Sequence, residues 1–125
     1  MPADTLDRLR SIVLSLPEVS ERLSHGATCF FFRERPVCYF HDRHNDDRVS
    51  LWCPAPPGSR EILVASDPAR YFTPPTSARG AFSTWIGVFL GVAEVDWEEI
   101  AAILDQAFRL VATRAAIAEL DRNRA

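Results

Sequence analysis

Thr84–Val111 reads TWIGVFLGVAEVDWEEIAAILDQAFRLV. It divides into a strand, a tight connection and an amphipathic helix. Trp85, Ile86, Val88, Phe89 and Leu90 form a dense β-branched and aromatic run, a composition that suits a largely buried pleated surface. Gly87 interrupts the run and predicts a bulge or a close approach by another backbone. Gly91 ends it. Asp96 stands at an N-cap position with Glu99 three residues on, the acidic form of a capping box. Val95 and Ile100 are placed to form a hydrophobic staple. Trp97, Ile100, Ala101, Leu104, Ala107, Phe108 and Val111 recur at helical spacing and make a broad apolar face. Asp105 and Arg109 lie off that face, four apart and acid first. The helix is expected to cover the sheet that contains Trp85.

Working back to the start, residues 4–16 read as a helix capped by Asp4 or Thr5, with Leu6, Leu9, Val13 and Leu16 on one face and Ile12 beside them. Pro17 stops it, and Glu18–Arg22 reads as a polar connection with at most one helical turn. Thr28–Phe32 and Val37–His41 form a hairpin turning at Glu34-Arg35-Pro36. Asp42–Asp47 is a solvated loop, and Arg48–Cys53 a third strand in which Val49, Leu51 and Cys53 alternate with Arg48, Ser50 and Trp52. Pro54–Gly58 is a loop. Ser59 caps a short helix, Arg60–Ser66, ended by Asp67-Pro68. Tyr71-Phe72-Thr73 is a short strand closed by Pro74-Pro75. After the long helix, Thr113 caps Arg114–Leu120, and residues 121–125 read as a frayed tail. Strands in sequence without crossover helices predict a single α+β domain over residues 1–125: a two-layer sandwich, its twisted sheet mainly antiparallel, with N- and C-terminal helices packed on one face.

Length and composition agree. A chain of 125 residues is one domain by size. It holds no apolar run long enough to span a membrane and begins without the apolar core of a signal peptide. Three widely spaced cysteines do not make a disulfide framework, so the expected setting is the reducing cytoplasm. All fourteen basic residues are arginine and the net charge is −3. Residues 1–80 carry ten arginines and ten acids, and residues 81–125 four and seven; neither part is a basic footprint.

Four motifs together resemble the MmcQ/YjbR family: LSLPEVSERLSHG (Leu14–Gly26) followed by an aromatic strand, SDPARYFTPP (Ser66–Pro75), TWIGVFL (Thr84–Leu90) and VDWEEIAAILDQAFRLVA (Val95–Ala112). The resemblance implies a fold like that of the bacterial frataxin CyaY, an antiparallel sheet with helices on one face, and carries the family's label of DNA-binding protein. It brings no catalytic residues and no cofactor. The chain departs from the family at Thr113, where a basic residue is usual, and in the loop SARGAFS (Ser77–Ser83), where relatives have a shorter glycine-rich stretch.

Three functional readings follow. The first is a non-enzymatic DNA-binding protein, using Arg33, Arg35, Arg43 and Arg48 around the hairpin tip to contact phosphates as a wing does. Glu34, Asp42, Asp46 and Asp47 are interleaved with them, the pattern of an ordinary solvated surface. The second is a small-molecule binder or enzyme with a pocket near His25, Trp52 and Arg79. His25 precedes Gly26 in the most recognisable motif; its simpler role is to close a connection whose unusual φ Gly26 supplies. Trp52, Tyr71, Phe72 and Trp85 suit stacking on a planar ligand, although filling the sheet–helix interface is the commoner fate of such residues. Trp52 is the exception, on the strand face shared with Arg48 and Ser50, and is expected to be the accessible one. The third is a protein-interaction module using a sheet face or edge. Cys29, Cys38, Cys53, His25, His41 and His44 lack metal-ligand spacing, so no metal or cofactor is expected. Nor is a membrane partner. A monomer or weak dimer is expected.

Overall fold

The structure is a computed structural model that describes residues 2–42, 48–76, 80, 82–92 and 94–125, with side chains from residue 4 onward. In chain order it comprises α1 (Pro2–Val13), β1 (Val19–Ser24), β2 (Ala27–Phe32), β3 (Arg35–Asp42), β4 (Val49–Pro54), α2 (Ser59–Ser66), β5 (Tyr71–Phe72), β6 (Trp85–Phe89), α3 (Trp97–Val111) and α4 (Arg114–Asn123). The strands form one antiparallel sheet in the order β1-β2-β3-β4-β6-β5. Its helix-side core joins Leu9, Val13 and Leu16 from the N-terminal segment, Phe30, Phe32, Cys38, Leu51, Ile86 and Val88 from the strands, Ile100, Leu104, Ala107 and Phe108 from α3, and Ala116 and Leu120 from α4. This is the expected α+β architecture with terminal helices on one face.

α3 forms where its periodicity places it. Asp96 caps it, accepting from the Glu99 amide at 3.2 Å. The reciprocal half of the capping box is replaced: the Glu99 carboxylate instead accepts a hydrogen bond from the Tyr71 hydroxyl and tethers the helix to β5. Thr113 caps α4 by accepting from the Ala116 amide. That helix runs on to Asn123, past the expected fraying point. Arg109 bonds Asp105 and Asp121, and Arg124 bonds Asp105, so ion pairs to α3 hold the last turn.

Burial pushes the Asp105 carboxyl up, but hydrogen bonds from Arg109 and Arg124 outweigh it and hold the group below its ordinary 3.8. A depressed carboxylate stabilises the fold above its unfolded pKa, and that contribution is lost as pH falls through the folded value. Asp105→Asn should therefore cost about 1 kcal/mol at pH 7. The difference from the parent should hold down to about pH 5 and shrink below about pH 4 in urea titrations. A difference that grew on acidification would sink this account.

Several boundaries differ from expectation for local reasons. α1 begins at Pro2, so Asp4 and Thr5 lie inside its first turns; proline suits a position whose N–H has no helical partner. It ends at Val13, and the chain turns through Leu16 N–H to Val13 C=O and Val19 N–H to Leu16 C=O. Residues 19–24 are a full edge strand and not a polar connection. Leu23 is 75% exposed, and Glu21 is held by a bidentate bond from Arg10 of α1. A charged, short edge strand is protected against pairing with other chains. The β2–β3 tip falls at Arg33-Glu34, with Arg33 at a φ of 56°. α2 is capped by Gly58, not Ser59, at a φ of 83° that a side chain would strain. The β4–β6 and β5–β6 registers run unbroken through Gly87, so it marks no bulge.

Candidate functional site

The sheet face away from the helices carries a second cluster. Register decides its membership. Cys29 pairs with Tyr39, Tyr39 with Trp52, and Trp52 with Gly87. By alternation Ala27, Cys29 and Phe31 of β2, Tyr39 and His41 of β3, Ser50 and Trp52 of β4, and Trp85 of β6 share this open face. Ala27, Cys29, Phe31 and Tyr39 are buried in it, with Trp52, Phe82 and Trp85 packed against them half-buried.

Phe82, from the segment before β6, completes the cluster. Its φ of 67° lies in the left-handed region, a strained state for a bulky residue. Ring packing offsets the strain: its ring lies 5.8 Å from Tyr39, 5.6 Å from Trp52 and 4.7 Å from Trp85, each edge-on. The His41 imidazole lies 4.2 Å from the Trp52 ring and is stacked at 6.0 Å on Tyr39.

Between these rings and the β1–β2 connection lies a cavity of about 160 Å³, lined by Ser24, His25, Ala27, Tyr39, His41, Trp52 and Phe82. His25 and Gly26 form the two-residue turn between paired Ser24 and Ala27, with φ of 53° and 81°. Positive φ at both positions is the signature of a type I′ hairpin. His25 thus does serve the connection, and the same turn sets its exposed side chain at the rim of the cavity. Ser24 Oγ and Tyr39 Oη stand 3.4 Å apart. Trp52 Nε1 is buried and has no hydrogen-bond partner among the described residues.

The Cys29 thiol and the Tyr39 hydroxyl are in their neutral forms. Burial pushes the Cys29 thiol up to about 12 and raises Tyr39 above its ordinary 10.0. The Tyr39 hydroxyl therefore keeps its proton at neutral pH. Cys53, on the helix side, is likewise pushed by burial to about 12, so neither thiol is an activated nucleophile. Among the described residues, no group of three His, Cys, Asp or Glu side chains is placed to hold a metal ion.

The sequence-derived candidates separate. His25 and Trp52 meet at the cavity. Trp85 flanks it, 5.9 Å from Tyr39. Phe72 also lies on the open face, stacked 4.5 Å from Phe89, so Trp52, Trp85 and Phe72 do not fill the sheet–helix interface. Tyr71 does: it is buried in the helix-side core, bonded to Glu99. Arg79 and Arg43 lie outside the described residues. Arg33 makes a bidentate bond to Glu18, Arg35 donates to the Val111 carbonyl, and Arg48 lies over the Phe89 ring at 4.7 Å. Sequence reasoning misses Tyr39, His41 and Phe82 as site residues. The alternation Cys38-Tyr39-Phe40-His41 puts Tyr39 and His41 on one face, but only the β3–β4 register brings that face to Trp52.

A larger hollow of about 670 Å³ lies between α2, β5 and β6, lined by residues including Arg48, Val64, Phe72, Phe89 and Val92. It is a wide groove, and none of its described side chains leaves a buried polar atom unpaired. The smaller cavity is the better-defined site.

Comparison with known proteins agrees with the motifs. The YjbR family profile matches residues 14–110. The chain belongs to the YjbR family. The crystal structure of Deinococcus radiodurans protein DR2400, a DUF419-domain protein, matches with a TM-score of 0.72 at 21% identity, over 97% of this chain and 91% of that one. At that identity the likeness is one of fold. No curated protein matches the chain. Among the described residues, no helix is long and apolar enough to cross a membrane.

Proposed function

We propose that this YjbR-family protein is a small-molecule binder whose site is the cavity on the open face of the sheet. The observation that carries this reading is Trp52, which lines a largely aromatic cavity and whose buried Nε1 has no hydrogen-bond partner among the described residues. A buried donor without an acceptor costs about 1–3 kcal/mol, and a bound molecule that supplies the acceptor removes that cost. Aromatic walls with a few convergent polar groups are the common make-up of ligand pockets.

The DNA-binding reading implied by the family label is the alternative. To contact phosphates, Arg33 must leave Glu18, and Arg35 the Val111 carbonyl. Its affinity must also fall steeply with salt.

One comparison separates the two. A thermal-shift screen of small planar molecules should give stabilising hits that Trp52→Leu loses. His25→Asn keeps a residue that tolerates positive φ and should alter those hits without unfolding the turn. Arg33→Glu with Arg35→Glu should leave them unchanged. The reading fails if hits survive Trp52→Leu. It also fails if no small molecule binds while a labelled duplex binds at about 50 mM salt, weakens sharply at about 200 mM, and is lost in the double arginine variant.

A further inference from the structure

Resting on that reading of the site, we infer that its occupant is an uncharged single planar ring that carries a hydrogen-bond acceptor, the chemistry of a pyrimidine base or an aromatic carboxamide. Size sets the first limit. A cavity of about 150 Å³ takes up one benzene-sized ring, and this one measures about 160 Å³. Wall shape sets the second. Phe82 stands nearly perpendicular to Tyr39 and Trp52, at 89° and 76°. His41 closes on Trp52 at 39°. Rings so arranged offer both faces and edges to a flat guest, which suits offset or edge-on stacking.

The polar groups set the rest. Trp52 Nε1 is a donor only, so the guest must accept. The Ser24 and Tyr39 hydroxyls share one long contact, in which either can donate. Each hydroxyl keeps further capacity, so a guest bearing a donor beside its acceptor satisfies both. Charge is disfavoured. Among the described residues, no carboxylate or guanidinium lines the cavity. Arg22, on the same face, lies over Phe31 at 3.8 Å and is bonded to Glu34. An anion in the cavity would lose its hydration with no guanidinium among the described lining residues to pair with it.

The test uses calorimetric titration of the full chain with uracil, nicotinamide, toluene, benzoate, adenine and indole. Uracil or nicotinamide should bind saturably. Toluene, which has the ring without the acceptor, should bind at least about tenfold more weakly. Trp52→Phe keeps a ring but removes the N–H, and should weaken the polar ligands about tenfold while leaving toluene unchanged. Equal binding of toluene would overturn the acceptor. Preferred binding of benzoate, adenine or indole, lost in Trp52→Leu, would overturn the ligand class while leaving the site in place. If none of the six binds, the inference falls. The site itself then stands or falls on the broader planar-molecule screen and its Trp52→Leu control.

Discussion

Phe108→Ala should lower the unfolding free energy by about 3–5 kcal/mol. Phe108 is fully buried at the centre of the α3 face, and its ring meets Phe32 of β2 edge-on at 5.7 Å, interplanar angle 84°. Truncation removes the transfer energy of the ring and the edge-to-face contact, and it leaves a void that the sheet above cannot collapse into. Against a typical total of roughly 5–15 kcal/mol, that is a large share. The melting temperature should fall by roughly 10–20 °C, and the urea midpoint should drop with its slope unchanged. A loss below about 1 kcal/mol would mean that α3 is not seated on β2 as described. The variant also separates the two faces of the sheet. Assayed well below its lowered midpoint, it should keep the ligand behaviour of the parent, whereas Trp52→Phe should do the reverse: little loss of stability, and weakened binding. Loss of both properties in both variants would show that the faces are not independent.

Residues that signal through local chemistry are legible in the amino-acid sequence alone. Asp96 and Thr113 declare helix starts by their side-chain oxygens, and both accept the expected amides. The apolar repeat from Trp97 to Val111 reports which side of α3 is covered. The edge strand β1 is hidden because VSERLS carries no sustained apolar alternation: Arg22 lies over Phe31, Glu21 is held by Arg10, Leu23 faces water, and only Val19 packs against the helix-side core. The assignment of aromatics to faces is hidden for another reason. This sheet is packed on both sides, so β2 at nearly every position and β3 from Pro36 to Phe40 are apolar, and parity has no polar mark to read there. Only pairing register shows that Trp52 opposes Tyr39 and Gly87 while Tyr71 opposes Val88. His25 and Trp52 are legible as candidates, one from its place before glycine and one from alternation. Their meeting at one cavity is not, because it depends on a type I′ turn at the far edge of the sheet from β6 and on Phe82, whose left-handed φ no local motif announces.

Gly87→Ala should destabilise the protein by about 1–3 kcal/mol, and Phe72→Ala introduced with it should recover much of that loss. A Cβ built on Gly87 would lie 2.3–2.5 Å from three carbons of the Phe72 ring, inside any real contact distance. The glycine is therefore needed for the close approach of a side chain, not of a backbone. Phe72 pairs with Gly87 across β5–β6 and lays its ring over the gap, stacked on Phe89. The ring borders the wide groove beside β5 but can turn into it only by leaving Phe89, and the backbone that carries it is held. β5 is only two residues long, and its neighbour Tyr71 is buried and tethered to Glu99, while the Phe89 amide is bonded to the Arg70 carbonyl at 2.8 Å. An added methyl must tilt the Phe72 ring off Phe89 or loosen the β5 edge. Because the penalty arises from one contact, the two substitutions should be strongly non-additive. The double variant should be less destabilised than the sum of the two singles by more than about 1 kcal/mol. Strict additivity would mean that the strain of Gly87→Ala falls elsewhere, on Trp52 across β4–β6, and ligand binding would then be lost along with stability. With the coupling in place, Gly87→Ala should disturb the β5 edge and leave the cavity beside Trp52 able to bind.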